Sequence, residues 1–353
     1  MKKTRKEIIR AVSFLLAVCT ALWLLSIPFT VNIWQSKVTV QGVTSQPDDT
    51  LEAVYIGNSG VYRFWQSALA YQEYGITVMN FATASMPGIA TEYLMEQTRK
   101  NQNVDLFIVD LRAYTDSELD GANLHNIIDY FPLSWTRFKL VTRLCLYQKY
   151  WPFEALEYYF PVLRFHSRWD ELTKDDFTAA VDTTKGSYYY SDFIQTVQTE
   201  HDTFLTTENR TEPQKRAQKA LNGLLDYCDE NNIKVLFVAA PLLEHENQKE
   251  RLNWFCDMVE ARGYQAINFN SEPTYDAVGL DVSTDFMDNT HTNVYGSIKF
   301  TDWLGSYLVE NYGLDDRSGL TGYESWNDAY AIYSQKIGNK PTMYFEQLAG
   351  LTD

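Results

Sequence analysis

Short apolar runs and amphipathic stretches take turns along most of this chain. Five runs read as buried strands, since each holds a few consecutive apolar residues closed by glycine, proline or a polar residue. They are the run through Val54-Tyr-Ile56 that breaks at Gly57, then Thr77–Phe81, Val104–Asp110, Lys234–Ala240 and Tyr264–Phe269. Between and after them the spacing predicts helices near Val61–Glu73, Ala90–Lys100, Val294–Asn311 and Tyr323–Ile337. Ala217, Ala220, Leu221, Leu224, Leu225 and Cys228 form one helical stripe, and Thr211-Glu-Pro-Gln214 before it reads as a capping box with proline in the first turn. Another stripe, Leu252, Phe255, Cys256 and Val259, closes at Gly263. Strand and helix alternating in this way predict an α/β fold: a doubly wound five-strand parallel sheet with helices on both faces.

The rhythm fails in three places. Residues 113–209, after the third strand, are helical in patches and rich in aromatics, among them Tyr130, Phe131, Trp135, Tyr158, Trp169 and Tyr188-Tyr189-Tyr190. That stretch is too long for a structureless loop and reads as an inserted helical subdomain over the C-terminal edge of the sheet. It leaves an α/β core of 51–112 and 210–312, with a tail at 313–353. At the other end, Ala11–Phe29 is free of charge and follows a basic start. Nineteen residues of helix span about 28 Å, close to the hydrocarbon thickness of a bilayer, so residues 1–35 read as a cytoplasmic tip and an uncleaved transmembrane signal anchor. Residues 36–50 are mostly polar and read as a juxtamembrane spacer.

Charge sharpens this picture. The chain has 353 residues and a net charge of -16. Through residue 37 it carries six Lys/Arg and one Glu, leaving 24 basic and 45 acidic groups to the rest. A body that acidic repels nucleic acid, whose binding relies on cations neutralising phosphates. The basic tip places the body outside the cell by the positive-inside rule. Four cysteines show no Cys-x-x-Cys spacing, and Cys228 and Cys256 fall on apolar helix stripes as buried thiols. Neither a metal-ligand set nor a phosphate-binding glycine loop is present, so no cofactor is expected.

The candidate chemistry lies at strand ends. Ser59 follows the first strand, and Asp288 and His291 stand three apart in the loop after the fifth. In a parallel sheet these loops emerge on one edge, where a nucleophile, a base and an orienting carboxylate can converge for acyl transfer. His166, Arg168 and Trp169 of the insertion offer a further candidate, for an anionic or sugar substrate.

Gly57-Asn58-Ser59 resembles the Gly-Asp-Ser block of SGNH/GDSL-type hydrolases, and Asp288-Asn289-Thr290-His291 resembles their Asp-x-x-His block. Val294–Phe300 is similar to the helix that follows that histidine. The resemblance implies a flavodoxin-like three-layer core with Ser59 as nucleophile, His291 as base and Asp288 as its carboxylate. The family's oxyanion glycine has no match in Asn80–Ala84, and Val109-Asp110-Leu111-Arg112 stands where a Gly-x-Asn-Asp block is expected. Asn80, Arg112 and Gly57 are therefore the candidate oxyanion or substrate residues. Membrane-anchored members of the family imply an extracytoplasmic esterase or O-acyltransferase. Its acceptor would be a cell-envelope polysaccharide or teichoic-acid-like polymer, with a membrane-bound O-acyltransferase as a partner. The alternative is an inactive scaffold that positions such a membrane enzyme.

Overall fold

The structure, a computed structural model, describes residues 2–31, 34–115, 121–149, 153–178, 183–188, 206–243, 246–338 and 340–341. Tyr189 and Tyr190 lie outside the described residues. In chain order the elements begin with α1 (Lys2–Phe29), α2 (Trp34–Ser45), β1 (Ala53–Gly57), α3 (Ser59–Tyr62), α4 (Ser67–Tyr74) and β2 (Val78–Ala82). They continue with α5 (Thr91–Thr98), β3 (Leu106–Asp110) and α6 (Arg112–Thr115). The insertion holds α7 (Gly121–Ile128), α8 (Trp135–Gln148), α9 (Phe153–Tyr159) and α10 (Val162–Phe165). The core then resumes with α11 (Lys215–Asn231), β4 (Val235–Ala239), α12 (Glu246–Glu260), β5 (Gln265–Asn268) and α13 (Glu272–Val278). The chain closes with β6 (Phe286–Asp288), β7 (His291–Thr292), α14 (Val294–Tyr312) and α15 (Glu324–Ile337).

Strands β1 to β5 form one parallel sheet in the order β2-β1-β3-β4-β5. The α/β class and five-strand parallel sheet expected above are the fold observed. Successive strand residues point to opposite faces, and both faces are covered, so the strands are apolar throughout. Val54, Ile56, Phe107, Val109 and Phe237 pack under α5, α11 and α12. Tyr55, Ile108, Leu236 and Val238 share the opposite core with Leu304 and Leu308 of α14. The tail adds α15, whose Ala329, Tyr333 and Ile337 bury against Ala68 and Leu69 of α4.

Three expectations change. The polar look of residues 36–50 hides α2, whose Val38, Val40 and Val43 are fully buried and which packs on β2; it is part of the core, not a spacer. Thr211 forms no capping box, because its hydroxyl and N–H both bond Glu250, and α11 starts only at Lys215. The stretch after β5 is not one long loop, since α13 and the antiparallel pair β6–β7 occupy it.

Helix α7 packs on α2, and α8 packs on α5 and the short 3₁₀ turn Gly88–Ala90 that precedes it. Ile128, Phe131, Leu140 and Tyr158 of the insertion belong to the same apolar cluster as Val54 and Phe81. These insertion helices therefore extend the helical layer on one face of the sheet. Residues 183–188 instead run along the outer edge of β2, where Lys185 O accepts from Asn80 N (3.2 Å). Gly186 is required there: a Cβ on it, at φ 77°, would lie 2.3 Å from Asn80 O.

Helix α1 is long and apolar enough to cross a membrane over Thr4–Phe29. Among the described residues, the C-terminal part of α1 engages the body. Ser26 Oγ accepts from Val162 N, and the Arg168 guanidinium donates to the carbonyls of Phe29 and Thr30, capping the helix. Arg168 also pairs with Asp176, so it serves the helix end and its own loop, and the substrate role considered for it is not what its contacts support.

Candidate active site

Strand β1 lies between β2 and β3, where the strand order reverses. In doubly wound sheets the crevice at such a switch point, beyond the carboxyl ends of the strands, is where ligands bind. Ser59 stands there, opening α3 directly after β1. Two glycines make that turn possible. A Cβ at Gly57 would come within 2.6 Å of Val61 and 2.8 Å of Asp110, and one at Gly60 within 2.6 Å of Asp110 Oδ2. Gly57 is thus needed for the close approach of β1 to the end of β3. Asn58 caps α3, its Oδ1 accepting from Gly60 N at 2.9 Å.

The structure brings Ser59, His291 and Asp288 together across 232 positions of sequence. Ser59 Oγ is 2.7 Å from His291 Nε2. On the other side of the ring, Nδ1 lies 2.8 and 2.9 Å from the two oxygens of Asp288. A carboxylate facing Nδ1 holds the proton on that nitrogen, so Nε2 is left to accept from the serine hydroxyl. A hydrogen-bond chain in this order can serve a serine nucleophile, a base that takes its proton and a carboxylate that orients the base.

The charges suit the task. Burial works to raise the Asp288 pKa, but bonds from His291 and Thr290 outweigh it and hold the carboxyl well below the usual range. For His291 burial lowers the pKa; the Asp288 bond opposes this, and the nearby Arg112 and Arg63 cations lower it further. His291 is therefore neutral, and able to take a proton, at neutral pH.

Two supporting residues escaped the sequence reading. Thr290 donates its N–H and its hydroxyl to Asp288 Oδ1, at 2.8 and 2.9 Å, and its Oγ1 is 3.0 Å from His291 Nδ1. The backbone bond is the turn that an aspartate makes with the residue two positions on, a signal present in Asp-x-Thr. Arg63 stacks over the rings of Tyr62 and Tyr188 and donates to Met287 Sδ at 3.1 Å. No local pattern predicts that contact.

Asn80 and Arg112 are placed differently from each other. Asn80 pairs in register with Tyr55, two residues short of the end of β2. Both N–H groups of its amide are engaged, with Trp65 O at 3.1 Å and Ser187 Oγ at 3.3 Å, so Asn80 does not supply the expected oxyanion donor. Arg112 is at the site: its Nη1 donates to Thr290 O at 2.9 Å and would be 2.8 Å from a Cβ on Gly60. It ties the end of β3 to the loop that carries the base. Beneath it Asp110 accepts from Arg112 N at 3.0 Å, and burial pushes that carboxyl up to about 6 against the pull of the Arg112 charge.

No family model matches the chain, and no curated protein matches it. Among solved structures the chain is similar to a "putative acylhydrolase" from Bacteroides fragilis, with a TM-score of 0.37 and 9% identity. The match covers 78% of this chain and 95% of the other. At that TM-score and identity, the reading of the site rests on its own geometry.

Proposed function

We propose that this protein is a serine esterase or O-acyltransferase of the SGNH type, anchored by α1 with its body outside the cell and acting on acyl groups of an envelope polymer. The observation that carries the reading is the continuous chain from Ser59 Oγ through His291 to Asp288 at the sheet's switch point. In the reaction Ser59 Oγ attacks the acyl carbonyl carbon as His291 Nε2 takes the hydroxyl proton. The tetrahedral oxyanion collapses, the C–O bond to the leaving alcohol breaks, and that alcohol takes the proton back from His291. Water or an acceptor hydroxyl then attacks the acyl-serine by the same proton relay, and Ser59 is regenerated. The anchor suits a substrate held at the cell surface, and Asp288 and His291 stay partly open to it.

In detergent the full-length chain should hydrolyse p-nitrophenyl acetate, and Ser59→Ala should not. Equal turnover by the two proteins would sink the proposal. One observation favours the scaffold reading instead: the amide N–H groups of Asn80, at the oxyanion block, are both taken by Trp65 O and Ser187 Oγ. In that case Ser59→Ala would restore the envelope phenotype of a deletion strain as well as the unchanged chain does.

A further inference from the structure

The insertion has an apolar surface beside α1 that the catalytic reading leaves unused. Helix α8 is apolar on two faces. Leu140, Val141, Leu144 and Cys145 are buried, while Trp135, Phe138 and Leu146 form a second stripe, at spacings of three and eight, that is exposed. A surface helix ordinarily turns polar residues outward, so an exposed second stripe calls for a partner. Trp135 is 70% exposed and stacks on Phe138 with ring centroids 4.9 Å apart. Leu133, Phe177 and Trp169 are exposed nearby, and Trp169 lies in the 3₁₀ turn that packs against α1.

The position of this surface along α1 identifies the partner. A groove between α1 and the insertion is lined by Cys19, Thr20 and Trp23 on one side and by Leu133, Phe138 and Phe160 on the other. Cys19 is ten residues before the end of α1, so the insertion follows the apolar helix for about 15 Å. If α1 spans a bilayer, that depth reaches well past the headgroups of the leaflet nearest the body. A soluble face could not be there, whereas an apolar, aromatic one could. The exposed tryptophans suit an interface.

We infer that the insertion seats in the leaflet from which α1 emerges, laying Trp135, Phe138, Leu146 and their exposed neighbours against lipid acyl chains. The inference rests on the reading of α1 as a membrane span. It makes the protein two-point attached, with a body of fixed orientation on the surface in place of one swinging on a tether.

The test uses the full-length chain in vesicles of phosphatidylcholine and phosphatidylglycerol containing a lipid with a nitroxide on its acyl chain. An environment-sensitive NBD probe is placed by Phe138→Cys or Trp169→Cys in a Cys19→Ser background, since the other cysteines are buried. Glu208→Cys, at a side chain 89% exposed, and native Cys19 serve as references. The expected result is quenching of about two-fold or more for the probes at 138, 169 and 19, and none at 208. Quenching at 19 alone would show that α1 spans while the insertion stands off the lipid, and would overturn the inference. A blue-shifted but unquenched probe at 138 would assign the stripe to a second copy of the chain and overturn it equally. No quenching at 19 would remove the span itself, and the seating with it.

Discussion

In the proposed mechanism Ser59 and His291 act with Asp288 as one hydrogen-bonded unit, so removing the nucleophile or the base should cost nearly as much as removing all three. Ser59→Ala or His291→Ala is expected to lower esterase kcat by about four to six orders of magnitude, with Asp288→Ala costing less. Purified variants assayed on a short acyl ester check this. The pH dependence follows from the base. Catalysis needs His291 neutral; burial and the Arg112 and Arg63 charges lower its pKa from 6.5, so activity is full at neutral pH and falls through a midpoint below 6.5 as acid is added. Removing a positive charge eases protonation, and Arg63→Gln should therefore move that midpoint upward in a kcat/KM profile. The meeting of Ser59, His291 and Asp288 was legible from residue type and from their places after the first and last strands of the sheet. Thr290 was half legible, through its turn. Arg63 was not, because what it does depends on Met287, 224 positions away. Asn80 was misjudged because a strand's apolar pattern gives neither the face a polar residue takes nor its distance from the strand end.

At the scale of elements, the site depends on how closely β1 and β3 end. Gly60→Ala would press a methyl against Asp110 Oδ2 and the Arg112 guanidinium. Overpacking of this kind costs about 1–3 kcal/mol, and a thermal melt should show the loss. The same push would disturb Arg112, which holds Thr290 O, so the rate should fall along with stability. The five strands and the long amphipathic helices could be read from the sequence because both sheet faces are covered and the stripes are long. The short or polar-looking elements could not. Helix α2 presents only three buried valines among polar residues, and β6 and β7 exist by pairing with each other. Their structure is set by tertiary contacts.

For the whole molecule, the boundary between α1 and the body lies earlier than the polar stretch suggests. A chain starting at Trp34 keeps α2 and should stay folded. One starting at Asp48 loses Val38, Val40 and Val43 from the core, on the order of 5 kcal/mol of burial, which is comparable to the entire stability of a domain. Thermal melts of the two truncations should differ accordingly. The insertion was legible as an aromatic helical block, whereas its packing beside α1 and α2 was not, because the sequence does not say which layer an insertion joins. The proposal that unites anchor, insertion and site is that Ser59 is a nucleophile, and peptide mass mapping after a fluorophosphonate probe tests it most directly. The account predicts a single phosphonyl adduct on the peptide containing Ser59, lost in Ser59→Ala and strongly slowed in His291→Ala. An unmodified Ser59 peptide, or equal labelling of Ser59→Ala at another residue, would contradict it.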